Sequence, residues 1–184
     1  MKTEELLGWG AAILGVSMVV GRLGQSPGGP EIGREEVIEK IRHSARLRHD
    51  DIPEWVFLAT AQVESGIRHL PSRGSGNGRT FYPFGIQRNR GSDLSHIPLE
   101  DTERLDAALG NLDRHINLGV DEVARLWRLY RGDIDRVRVA WVMPAYAKNG
   151  PPYPERMGSV PTSRRLANWR SAVAQMGGPV VPVA

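Results

Sequence analysis

The run Val56-Phe57-Leu58-Ala59-Thr60-Ala61-Gln62-Val63 constrains the fold of this chain more than any other feature. Only Thr60 and Gln62 are polar, so a helix through this run is apolar on nearly every side and belongs in an interior. Asp50-Asp51 and Pro53 mark its start, because proline is tolerated in a first helical turn. Glu64-Ser65-Gly66 follow the run. A carboxylate at the end of a buried apolar helix is costly to keep charged. Burial raises the pKa of such a carboxyl group, and the negative end of a helix that stops at Gly66 acts in the same direction. A carboxylic acid that keeps its proton near neutral pH serves as a general acid. Glu64 is therefore the candidate catalytic residue.

The remaining patterns are helical too. Residues 31–48 place Val37, Ile38, Ile41, Ala45 and Leu47 near one stripe. Helical patterns are expected at 105–118 and 120–130, the second ended by Gly132, with Asp133 capping a further helix over 134–142 that leads to Pro144. A last helix is expected over 162–176, capped by Thr162 or Ser163. Few segments alternate with period two, so the expected class is mainly α. Residues 69–80, rich in Gly, Ser and Arg, read as a loop. Its Arg73-Gly74-Ser75-Gly76-Asn77-Gly78-Arg79 stretch lacks the Lys-Ser/Thr of a phosphate cradle and reads as a mobile flap over a groove.

Four segments are expected: an apolar N-terminal helix at 1–24 as membrane anchor or docking segment, a Pro/Gly linker at 25–30, the folded domain at 31–176, and a Val/Pro tail at 177–184. Residues 6–20 are shorter than the roughly 20 that span a bilayer, and Lys2 is offset by Glu4 and Glu5, which is not the basic start of a secretory signal. The 184 residues suffice for one ordinary core. With 24 Lys+Arg against 21 Asp+Glu, charge gives no argument for nucleic acid, which is not an expected partner. Without cysteine there is no disulfide, thiolate nucleophile or thiolate-bound metal. His43, His49, His69, His96 and His115 are scattered without metal-ligand spacing, so neither a metal nor a cofactor is expected.

Further candidates lie downstream of Glu64. Phe84-Gly85-Ile86-Gln87 comes some twenty residues later, and Pro144-Ala145-Tyr146 much later. Ala61-Gln62-Val63-Glu64-Ser65-Gly66 resembles the glutamate-serine motif of the soluble lytic transglycosylases. The Phe84–Gln87 stretch resembles that family's second motif, and Ala145-Tyr146 its alanine-tyrosine motif. Asn111-Leu112 and Tyr130-Arg131-Gly132-Asp133 are similar to two further family features, in the family's order. The similarity spans about 37–149. The chain departs from the pattern in its long 68–83 loop, in Pro144, and in Ala147-Lys148-Asn149-Gly150, where the asparagine is displaced.

The resemblance implies a lysozyme-like helical domain of the goose-type or transglycosylase kind. It implies cleavage of the β-1,4 bond between N-acetylmuramic acid and N-acetylglucosamine, with a 1,6-anhydro product. Glu64 is then acid and base, and Tyr146 its positioning partner. Ser65, Gly85 and Gln87 are substrate-contacting residues, although Ser65 equally suits a helix-end cap and Gln87 a turn. Trp127 and Trp141 are read as core, and Trp55 as core or as a shield for the acid. Peptidoglycan strands are the expected partner, with a membrane or a virion tail assembly engaged through the N-terminal helix. The expected setting is a phage particle acting on the bacterial envelope, with a membrane-anchored or secreted periplasmic enzyme as the alternative. Two rival functions stay open. One is a hydrolytic muramidase, whose second carboxylate would be Asp93, Glu100 or Asp101. The other is a non-catalytic wall-binding or virion structural protein.

Overall fold

The computed structural model describes residues 32–180, and this part of the chain is mainly helical. The expected N-terminal helix (1–24), the linker (25–30) and the last four residues of the tail lie outside the described residues. In chain order the helices are α1 (Arg34–Arg48), α2 (Glu54–Ser65), α3 (Arg88–Ser95), α4 (Thr102–Gly110), α5 (Leu112–Leu129), α6 (Ile134–Val142), α7 (Pro144–Ala147) and α8 (Thr162–Gln175). Two short antiparallel hairpins are set among them, β1 (Thr80–Phe81) with β2 (Ile86–Gln87) and β3 (Arg156–Met157) with β4 (Val160–Pro161). Among the described residues no helix is long and apolar enough to cross a membrane.

α2 is the central element. Val56, Phe57, Ala59 and Ala61 are wholly enclosed. α1 and α5 pack on α2, and α8 covers it elsewhere, laying Trp169, Ala172 and Val173 against Ala59. Enclosing a large apolar side chain contributes about 1.5–3 kcal/mol, and this helix gains it on nearly every face. The helix stops at Gly66, whose N–H donates to the Gln62 carbonyl at 2.9 Å and whose φ of +67° turns the Ile67 N–H back to the Ala61 carbonyl at 3.3 Å. Glycine adopts that left-handed conformation without a Cβ penalty.

The patterns expected at 105–118 and 120–130 prove to be divided elsewhere. The break falls at Asn111, whose side chain accepts the Arg114 N–H at 2.9 Å and starts a new helix. Gly119, the residue between the two expected patterns, lies inside α5. A Cβ there would come within 2.4 Å of the Phe84 ring, so its glycine serves packing and not termination. At α8 neither expected cap forms a side-chain bond to the helix. Thr162 instead turns its hydroxyl to the Pro154 carbonyl, which ties the start of α8 to the preceding loop. Asp133 does cap α6, accepting the Arg136 N–H at 3.0 Å.

Candidate active site

The end of α2 delivers Glu64 from the core to the wall of a groove of about 940 Å³. Thr80, Gly85, Gln87, Asp93 and Trp141 also line it. The β1–β2 hairpin shapes this wall through strand alternation. Phe81 pairs with Ile86 and both are buried, while Thr80 pairs with Gln87 and both reach the groove.

The turn between these strands is pressed onto Glu64. Gly85 has a φ of +68°, and a Cβ on it would lie 2.7 Å from Glu64 Oε2 and 3.2 Å from Cδ. Two constraints thus require glycine here, the backbone conformation and the closeness of the carboxyl group.

The turn is held from below by α5. The Phe84 N–H donates to Nε2 of His115 at 3.1 Å, and the Phe84 ring fits over Gly119, one helical turn further on. Trp141 of α6 packs against the same ring, with centroids 6.2 Å apart. His115 is fully buried, and burial pushes its pKa down to about 3. It is a neutral imidazole that accepts through Nε2, which leaves its proton on Nδ1.

Glu64 is paired. Arg138 of α6 donates from Nη1 to Glu64 Oε1 at 2.6 Å, with the arginine side chain 6% exposed and the glutamate 23%. Sequence reading missed Arg138. The available signal was the same one that singled out Glu64, a charge within an apolar run, here Val137 to Val142. A buried guanidinium demands an acid, and Arg138 finds it in Glu64.

A second acid, the buried Glu122, lines the groove and was also missed. Arg90 donates to it at 2.7 Å, and Arg125 holds it with two bonds of 2.6 and 2.8 Å. Burial works to raise the Glu122 pKa, but these arginine bonds prevail and lower it. Arg90 also lies over the Trp141 ring, 4.3 Å from its centroid, and donates to the Trp141 carbonyl at 2.6 Å. This cluster fastens α3, α5 and α6 into one wall.

The other expected site residues fall in different places. Ser65 is buried, donates to the Ala61 carbonyl at 3.2 Å and accepts the Arg68 N–H at 3.1 Å, so it finishes the helix and does not line the groove. Tyr146 lies on α7, 43% exposed, outside the groove lining and with no hydrogen bond to Glu64 among the described residues. Its neighbour Pro144 lines the groove instead. Of the three acids weighed as a second carboxylate, Asp93 lines the groove, while Asp101 caps α4 by accepting the Arg104 N–H at 3.3 Å. Glu100 is exposed and outside the lining. Trp55 packs edge-on against Trp127, with centroids 5.5 Å apart, and is no shield for Glu64. The glycine-rich loop expected as a mobile flap is pinned. Asp106 accepts from Arg79 at 2.7 Å and from Arg88 at 2.5 Å, and Arg88 also donates to the Gly76 carbonyl at 2.9 Å. Among the described residues no group of acids and histidines is arranged to hold a metal ion.

Compared with protein-family models, with curated proteins and with solved structures, the chain matches none.

Proposed function

We propose that the chain is a peptidoglycan lytic transglycosylase with a lysozyme-like domain, and that Glu64 is its acid and base. One observation carries the reading. The carboxyl group at the end of the buried α2 opens into the groove, wedged against the Gly85 turn and beside Gln87. Segments that the sequence separates by some twenty residues thus meet at one carboxylate, as the resemblance implies. At about 940 Å³ the groove lies at the upper end of the range usual for ligand sites, about 300–1,000 Å³, and has room for a short run of sugar rings.

The chemistry needs one carboxyl group in two states. Glu64 gives its proton to the glycosidic oxygen as the bond from that oxygen to the muramic acid C1 breaks. The carboxylate then takes the proton of the same sugar's 6-hydroxyl as that oxygen bonds to C1. One bond is lost, one is made, the proton on Glu64 is restored, and no water is consumed. Arg138 is the natural partner of the charged form used in the second step. The first step starts from the protonated form, so Arg138 has to loosen its bond to Oε1 when a strand is seated. Tyr146 enters this scheme as a positioning residue that approaches Glu64 only in the substrate complex. The proposed setting is a phage particle that opens the wall locally, and detection of the chain in purified virions is its test.

A hydrolytic muramidase is the second reading, favoured by Asp93. This acid lines the same groove and has no ion-pair partner among the described residues, as a base that activates water requires. Release of soluble fragments from purified peptidoglycan by the wild type, and none by Glu64→Gln, is the expected outcome for either enzyme. The side-chain amide oxygen of the Glu64→Gln variant is placed to accept from Arg138, so that protein is expected to keep its fold, and its thermal melting checks this. Equal release by both proteins would remove Glu64 from the chemistry.

A further inference from the structure

The arginines around the groove differ in one respect. Arg90 and Arg125 share Glu122, and Arg138 has Glu64. Arg165 lines the groove close to Glu64, yet no carboxylate lies within ion-pair distance of it among the described residues. Its position is built. It projects from the first turns of α8, and its Nε donates to the Met157 carbonyl of the β3–β4 hairpin at 3.0 Å. The same loop receives the Thr162 hydroxyl at Pro154 and the Thr162 N–H at Glu155, 3.0 Å away. One edge of the guanidinium is therefore tied to the hairpin, and its terminal nitrogens remain for another acceptor.

Arg165 and Arg138 together bring two positive charges to the neighbourhood of one carboxylate, Glu64. Burial and the nearness of Arg138 both lower the Arg165 pKa, and Glu64 offsets them only in part. An unbalanced guanidinium in a half-buried place is a standing cost unless a ligand supplies the missing negative charge. Arginine's planar fork suits a carboxylate in particular.

We infer that Arg165 anchors an anion subsite beside Glu64, and that its ligand is a carboxylate carried by the sugar strand in the groove. This rests on the proposal that the groove holds a glycan, and it narrows the substrate to acidic strands. Two sources offer that group, the lactyl carboxylate of peptide-free muramic acid and the carboxylates of a stem peptide.

Calorimetric titration of the full chain separates the possibilities with three probes. These are a neutral chitin oligosaccharide, a peptide-free strand containing muramic acid, and the same strand bearing stem peptides. At least one acidic strand is expected to bind about tenfold or more tighter than chitin, as a charge-assisted hydrogen bond provides. Arg165→Gln should bring that strand down to the level of chitin, and Arg165→Lys should retain part of the preference. Whichever acidic strand gains more identifies the carboxylate. Equal binding of all three probes, or a preference untouched by Arg165→Gln, would overturn the subsite while leaving a glycan-binding groove in place. Binding of no probe would overturn the subsite and the glycan reading together.

Discussion

At the scale of single residues the site depends on Gly85 as much as on Glu64. A side chain at Gly85 meets the carboxyl group at 2.7 Å and forces a left-handed backbone on a residue with a Cβ. Gly85→Ala is expected to lower stability by about 1–2 kcal/mol through the backbone alone. Displacement of Glu64 by a fraction of an ångström up to about 1 Å is expected to reduce turnover about a hundredfold. Thermal melting and fragment release from peptidoglycan measure the two effects. A variant with normal turnover would show that Gly85 does not set the position of the acid. The place of Glu64 at the end of a buried helix was legible in the sequence because a charge ends an apolar run. Arg138 obeys the same rule and was passed over, because arginine is common on helices and only the fold shows that this one faces inward.

At the scale of elements, α5 carries the site from behind. His115 and Gly119 present one acceptor and one hollow to Phe84, and so fix the turn that holds Gly85. The linkage has a definite sign. The folded pKa of His115, about 3, lies below the ordinary 6.5, so the unfolded chain binds the extra proton between those values. Stability supplied by the neutral ring is complete above pH 6.5 and is lost as pH falls toward 3. The loss is on the order of a few kcal/mol. A nuclear magnetic resonance titration should find the His115 ring neutral through pH 6.5, and ordinary titration there would refute the buried acceptor. Glu122 offers a second check, since it ties α3, α5 and α6 along the groove wall. Glu122→Ala leaves Arg90 without its acid and is expected to cost about 3 kcal/mol, the lower end for breaking a buried pair. A change in melting temperature near zero would mean that the cluster is ornamental. Neither residue was readable as special in the sequence. Charged residues recur along α5, from Asp113 and Arg114 to Arg125 and Arg128, and side-chain spacing alone does not reveal which face another element covers.

For the whole molecule, the helical class followed from periodicity, and the central place of α2 followed from its lack of a polar face. The helix boundary at Asn111 was not legible, and the role of Gly119 inside α5 depends on a phenylalanine 35 residues earlier in the chain. The two hairpins were equally hidden, because strands of two residues carry no period. The groove joins the ends of α2 and the first hairpin with α3, α5 and α6, so no local pattern describes it. What the molecule does with that groove is decided by the products it makes. Mass spectrometry of soluble fragments from purified peptidoglycan, with wild type and Glu64→Gln in parallel, tests this most directly. The account predicts fragments lighter than reducing-end products by one water, formed by the wild type and absent with the variant. Reducing-end fragments from the wild type would contradict it and would turn attention to Asp93 as the base for a hydrolytic water.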